Sequence, residues 1–186
     1  VELECEICKG KRFKDEVTAI KYNGISIDML LKMTVDECIQ FFRKYNQTKI
    51  VNKLLPLQSV GLGYVSLGQS SNTLSGGEAQ RIKLASFIGK GDQIEKTFFI
   101  FDEPTTGLHF HDVKKLLNTF DKLIRMGHSI LVIEHNLDMI SCSDHIIDLG
   151  PEGGDKGGNI VAEGTPEELI KNKKSYTGHY LKKKII

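Results

Sequence analysis

The sequence predicts an α/β chain in which a parallel-sheet lobe follows a more helical subdomain, and three observations carry that expectation. Two short apolar runs, Phe98 to Phe101 and Ser129 to Ile133, are rich in aromatic and β-branched residues and too short for independent helices. Such runs read as strands buried on both faces, the kind found in a covered parallel sheet. Between them His111 to Met126 places Val113, Leu116, Leu117, Phe120, Leu123 and Ile124 at helical spacing, with Gly127 as a left-handed stop. Upstream, helix caps and a hairpin signal dominate, so the expected division is residues 1–90 and 91–186.

Composition narrows the function classes. With 25 Lys and Arg against 24 Asp and Glu, the net charge of +1 announces no global basic field for nucleic acid. No apolar run approaches the roughly 18 residues that cross a bilayer, so no membrane partner is expected. The first residues are acidic and carry a Cys-x-x-Cys, unlike a signal peptide. Four cysteines without a paired framework fit a reducing, cytoplasmic setting. The chain starts at Val1, inside what reads as a motif, and is read as a piece of a longer protein.

In chain order, Cys5-Glu-Ile-Cys8-Lys-Gly10-Lys-Arg12 has zinc-knuckle spacing, with Gly10 allowing the tight turn. Structural zinc takes four ligands and only one pair is present, so the reading is half a zinc site. The competing reading, a redox Cys-x-x-Cys, would open a helix after a strand, and the residues do not alternate that way. Val17 to Ile27 reads as a hairpin around Asn23-Gly24. Asp28 to Leu31 is a helical turn. Thr34 and Glu37 form a capping box for a helix with Cys38, Phe41 and Phe42 on its apolar side. Asn52 to Val60 reads as a helix broken at Pro56, and Gly61 to Gly68 as extended chain. Gly89 to Asp92 is a loop. Leu137 to Cys142 starts a helix, and Ile146 to Leu149 pairs with Ile160 to Ala162 around a glycine-rich turn. Thr165-Pro-Glu-Glu168 is a second capping box with proline at the first helical position. Lys182 to Lys184 is a short basic tail that reads as solvated or as a phosphate contact.

Chemistry concentrates in three places. Ser75-Gly76-Gly77-Glu78 precedes an amphipathic stretch in which Ile82, Ala85, Phe87 and Ile88 are expected to face the core. Glycines there let backbone N–H groups approach an anion, and the helix start adds partial positive charge. The bland alternative is a serine cap with flexible glycines. Asp102 and Glu103 end the first apolar run, and Pro104 stops it. Acids at the carboxyl end of a parallel strand face the crevice where α/β sheets bind ligands. One can hold Mg²⁺ through water, and its neighbour, on the other side, can take a proton from an attacking water. His135, just beyond the second run, can reach the same crevice and a terminal phosphate, or be a capping or surface histidine.

In this order the motifs resemble those of the ATP-binding cassette family. Leu74 to Gln80 resembles its signature motif, Phe98 to Glu103 its Walker B strand, Thr105 to His109 its D-loop and His135 its switch histidine. Asn72 to Arg81, Phe101 to His109, Cys5 to Arg12 and Asp148 to Gly158 together resemble one branch more closely, the UvrA family of damage-sensing excinuclease subunits. That resemblance covers nearly the whole chain and points to the carboxy-terminal part, in the second of two cassettes. It implies a partial ATP-binding cassette fold: a parallel-sheet ATP-binding lobe plus a helical signature subdomain with a small hairpin and zinc half-module. It implies that Ser75, Gly76, Gly77, Glu78 and Gln80 contact ATP held by another cassette. It further implies that Asp102 binds Mg²⁺, that Glu103 is the catalytic base with His135 as switch, and that Cys5 and Cys8 are half of a Zn²⁺ site. The implied partners are damaged double-stranded DNA, UvrB and a second copy of the full-length protein.

Two departures matter. No Gly-x-x-x-x-Gly-Lys-Ser/Thr occurs in the sequence, and no Q-loop glutamine stands in its usual place. The expectation is that this chain alone does not hydrolyse ATP. Two other readings stand beside this one. A transporter ATPase would carry Gln where this chain has Glu78 and would lack the upstream Cys-x-x-Cys. A non-enzymatic, zinc-dependent DNA-binding module would need a basic face, and residues 1–50 are nearly charge-balanced.

Overall fold

The computed structural model describes residues 5–6, 8–89, 95–152, 154 and 157–185. The chain divides into two compact units, Val1–Glu95 and Lys96–Ile186. The loop expected at Gly89 to Asp92 lies, beyond Gly89, outside the described residues.

The first unit opens with a helical turn, α1 (Asp15–Thr18), and a two-stranded hairpin, β1 (Lys21–Tyr22) and β2 (Ile25–Ser26). Asn23 and Gly24 take positive φ of 48° and 84°, the turn that twists a two-residue hairpin correctly. The hairpin is shorter than the sequence suggests, because Val17 and Thr18 belong to α1. After α2 (Ile27–Lys32), Thr34 caps α3 (Val35–Lys44) with the full reciprocal box to Glu37. Val35, Cys38, Ile39 and Phe42 of α3 pack with Val51 and Leu54 of α4 (Thr48–Ser59). Cys38 is fully buried in that core, and burial raises its thiol pKa. Tyr22 reaches the helix edge-on to Phe41, with ring centroids 6.2 Å apart.

Two expectations fail here. Pro56 lies inside α4 instead of breaking it, in the last turn before Ser59, and forgoes the amide bond that a residue there would make four residues back. Residues 61–68 are not a free extended segment but turns laced to the start of α3. Val35 and Asp36 donate to the carbonyls of Val65 and Gly63, each at 2.9 Å. A short 3₁₀ turn (Ser71–Thr73) then leads to α5 (Gly76–Ile88).

In the second unit, β3 (Phe98–Asp102) and β4 (Ser129–Ile133) pair in parallel, connected through α6 (Phe110–Arg125). Gly127, at φ 90°, ends the connection as expected. The strands are not buried on both faces. Phe101 is 5% exposed and packs at a tilt against Phe120 of α6, ring centroids 4.9 Å apart, whereas Phe98 and Ile100 are each 61% exposed. Leu131 and Ile133 of β4 are exposed on the same alternation. A parallel pair needs helices on both faces to bury both sets of side chains, and the packing recorded for these strands is to α6 on one face. Ile124 of α6 is likewise exposed, outside the stripe of Val113, Leu116, Thr119, Phe120 and Leu123.

Asn136 caps α7 (Leu137–Ile140) through its side-chain oxygen. The antiparallel pair β5 (Ile146–Gly150) and β6 (Asn159–Gly164) follows, then α8 (Pro166–Leu169), with its Thr165 capping box. The basic tail is part of a helix, α9 (Tyr176–Ile185), whose Leu181 is fully buried. Asp148 of β5 accepts hydrogen bonds from Ser175 (2.5 Å) and Thr177 (2.8 Å) and so fixes the start of α9. Lys184 pairs with Asp138 at 2.6 Å. Among the described residues no helix is long and apolar enough to cross a membrane.

The unequal faces of β3 give a direct test. Phe101→Ala should destabilise the chain by about 3–5 kcal/mol, the cost of emptying a packed aromatic site. Phe98→Ser, three residues away on the open face, should change stability by less than about 0.5 kcal/mol. Urea unfolding of the two variants against the parent chain reads the contrast.

Candidate functional site

The residues singled out by sequence fall into three groups, and each is described within its own unit. The first is the start of α5. Ser75 caps the helix: its Oγ accepts from the Glu78 N–H at 3.2 Å, and Glu78 Oε2 accepts from the Ser75 N–H at 2.8 Å. Tyr64 donates to the other Glu78 oxygen at 2.7 Å. Both carboxylate oxygens of Glu78 are thus engaged within the chain. The hydrogen bond from Tyr64 and those from Ser75 outweigh partial burial and hold the Glu78 carboxyl below the usual glutamate range. Ser75 and Gly76 are exposed, and a Cβ on Gly76 would meet no atom within 4 Å. The space beside this helix tip is open, as close approach of an anion to backbone N–H groups requires. Gly77 is buried. Gln80 is half-buried, with its Oε1 shielded from solvent. The apolar face differs from the expected one: Arg81, Leu84 and Ala85 are buried, and Ile82 is half-buried. Nothing in the residue pattern singles out an arginine for the core.

The second group sits where β3 and β4 end side by side. Asp102 lies opposite Ile133 in register. The ladder continues one bond further, with Glu103 N–H donating to the Ile133 carbonyl at 2.9 Å. Asp102 is the last residue of β3, and Glu103 already leaves strand geometry. Glu103 takes φ 46°, in the left-handed region, which costs a non-glycine residue about 1–2 kcal/mol. Its Oε2 accepts from Thr106 Oγ1 at 3.3 Å, and its Oε1 lies 3.7 Å from His135 Nδ1. The structure therefore brings Asp102, Glu103 and His135 to one exposed end of the parallel pair.

What holds that end was not singled out in the sequence. Glu134, immediately before His135, is half-buried. Its Oε1 accepts from both the backbone N–H (2.9 Å) and the hydroxyl of Thr105, and its Oε2 accepts from the N–H groups of His135 and Asn136, each at 3.0 Å. Burial alone would raise its carboxyl pKa. The hydrogen bonds from Thr105, Asn136 and His135 outweigh burial and leave it below the usual glutamate value. A carboxyl lowered in this way stabilises the folded chain above the ordinary glutamate range and loses that contribution as pH falls through its folded value. The available signal was register: an acid one step past β4 must lie beside the turn that follows Glu103.

The third group is the cysteine pair. Lys9 N–H donates to the Cys5 carbonyl at 2.8 Å and Lys11 N–H to the Cys8 carbonyl at 2.9 Å. Lys9 and Gly10 take φ 47° and 75°, the tight turn expected of a knuckle. Among the described residues no cluster of three or more His, Cys, Asp and Glu could hold a metal ion. Cys5 and Cys8 carry thiols of the kind that zinc takes, and Asp102 a carboxylate of the kind that holds Mg²⁺ through its waters.

No protein-family model matches the chain. It is 56% identical over 183 residues, 98% of its length, to the UvrABC system protein A of Clostridium perfringens. It is 55% identical over 183 residues to that of Aquifex aeolicus and 54% identical over all 186 residues to that of Rickettsia prowazekii. In each case it covers 19% of the relative, so the chain spans about a fifth of the length of the curated relatives it matches. Its structure is similar to the crystal structure of UvrA2 from Deinococcus radiodurans, with a TM-score of 0.80 and 40% identity over 96% of this chain and 22% of that one. A bacterial Atm1-family ABC exporter with ATP bound shares the fold, with a TM-score of 0.50 and 21% identity over 84% of this chain and 27% of that one. With more than half of its residues identical to these relatives over nearly its whole length, the chain belongs to the UvrA family, as a carboxy-terminal part with a partial ATP-binding cassette fold.

Proposed function

We propose that this chain supplies hydrolytic and nucleotide-clasping elements to the damage-recognition ATPase of bacterial nucleotide excision repair. The observation that carries the reading is the 3.7 Å approach of His135 Nδ1 to Glu103 Oε1 at the joined ends of two parallel strands. Glu103 accepts the proton of the water that attacks the terminal phosphorus. His135 lies beside that carboxylate, with an imidazole positioned for the phosphate oxygens. Asp102, at the end of the strand, holds Mg²⁺, which when bound offsets the negative charge of the phosphates. Ser75, Gly76 and the start of α5 clasp the terminal phosphate of an ATP held by another cassette. Gly77, Glu78 and Gln80 shape that helix start from behind.

The same reading carries ATP-dependent binding of damaged double-stranded DNA and loading of UvrB, for a chain whose relatives are named UvrABC system protein A. In the full-length protein this occurs as a homodimer in the cytoplasm. Zinc belongs to the same reading: Cys5 and Cys8 contribute two thiolates, and the remaining ligands come from outside this chain. The 21% identity to the exporter favours no transporter reading, since a likeness at that level speaks to fold alone.

In the full-length protein, Glu103→Gln should lower the kcat for ATP hydrolysis by about 100- to 10,000-fold and leave ATP binding intact. Steady-state phosphate release, paired with nucleotide-binding measurements, checks this, and undiminished turnover would end the assignment of Glu103 as base. The chain expressed alone, lacking the phosphate-cradling lysine motif, should show no turnover above a Glu103→Gln control.

Zinc gives an independent check. The chain alone should hold zinc at well below one ion per chain, by elemental analysis after dialysis. One tightly held ion per monomer would contradict the half-site.

A further inference from the structure

Glu134 is the least explained acid at the strand ends. It follows β4 directly, is half-buried, and belongs to none of the motifs that mark the site. Each of its oxygens accepts two hydrogen bonds. Oε1 takes the Thr105 N–H and hydroxyl, and Oε2 takes the N–H groups of His135 and Asn136. With four donors converging on it, this carboxylate is spent as an acceptor and is no second proton-accepting base. What it does is mechanical. Thr105 stands two residues after Glu103, separated from it by the fully buried Pro104, and His135 adjoins Glu134 itself. A single carboxylate therefore ties the turn that leaves Glu103 to the turn that begins at His135. Between Glu103 and His135 themselves the contact is loose, 3.7 Å and largely exposed, so it cannot set its own geometry.

The geometry points to Glu134 as a positioning residue for the proposed hydrolytic pair, clamping the loops after β3 and β4 so that the Glu103 carboxylate and the His135 ring stay in reach of each other. This rests on the reading of Glu103 as base, and it adds to that reading the group that sets the base's place. The N–H and O–H donors around Glu134 need an acceptor on both of its oxygens. A glutamine of the same shape offers only one, so two of the four donors would face an amide NH₂.

The test uses the full-length protein. Glu134→Gln should lower kcat for ATP hydrolysis by about 10- to 100-fold, the range that a small misplacement of a reacting group costs, with KM for ATP unchanged. Thr105→Val removes one donor and keeps the backbone bond, so it should lower kcat by a smaller factor. The double variant should lose less than the product of the two single losses, because both act on one network. Thr105→Val also carries the test if Glu134→Gln fails to fold. Glu103→Gln is run in parallel. If Glu103→Gln is inactive while Glu134→Gln and Thr105→Val turn over like the parent, the clamp is overturned and the hydrolytic reading stands. If Glu103→Gln itself turns over normally, the hydrolytic reading falls, whatever Glu134 does. If the losses in the clamp variants follow a lowered thermal midpoint, with kcat and KM moving together, Glu134 is a structural residue only and the inference is overturned.

Discussion

The parallel register between β3 and β4 sets Asp102 opposite Ile133, and one further bond carries the ladder to Glu103. Every functional feature of the second unit depends on that alignment. A slip of one residue would turn Phe101 away from Phe120 and bring Phe98 inward. In the same step it would move Asp102 from its place opposite Ile133. The hydrophobic asymmetry of the strand and the chemistry of its tip are thus locked together. Burying Phe101, worth about 1.5–3 kcal/mol, also holds Asp102 in that place.

The start of α5 applies a related economy in the first unit. Its capping box engages Ser75 and Glu78 in reciprocal bonds, while Tyr64 draws the remaining Glu78 oxygen aside. An acid in the first turn favours the helix through the macrodipole, yet it is also a negative charge where an anion is to bind. Orienting Glu78 toward Ser75 N–H and the Tyr64 hydroxyl keeps the helix stabilised and leaves the Gly76 side open. The same box at Thr34 and Thr165 serves helices with no chemistry attached, so capping alone does not mark a site. The open glycine is what distinguishes Ser75.

Local signals were legible wherever a residue's own backbone preference or a short-range hydrogen bond decides the outcome. Asn23-Gly24, the capping boxes at Thr34 and Thr165 and Gly127 all behave as their sequences require. Signals that depend on what lies across a face were not. The run at 98–101 is apolar enough for a doubly covered strand, but burial depends on neighbours that a strand's own sequence does not contain. Arg81 sits fully buried on α5 where spacing pointed to Ile82, since a long side chain can reach partners that periodicity ignores. Pro56 stays within α4 because tertiary packing of Val51 and Leu54 outweighs a lost amide bond near the helix end. Asp102, Glu103 and His135 were readable from motif spacing. Glu134 was not, because its importance comes from register between strands separated by a helix.

Glu103 is held in a conformation that a non-glycine residue avoids at a cost of about 1–2 kcal/mol. Strain of that size persists only where the surroundings over-determine it. Two restraints act at its flanks: the ladder bond to the Ile133 carbonyl on one side, and the bonds from Thr105 to the Glu134 carboxylate on the other. A hydrogen bond to a charged acceptor contributes about 1.5–3 kcal/mol, so the Thr105 bonds alone match the strain. Remove the charge at Glu134 and one of these two restraints weakens, which lowers the cost of relaxing the loop toward an ordinary extended φ. The proposed catalytic carboxylate then leaves the position 3.7 Å from His135 more readily, although neither residue of the pair has been altered.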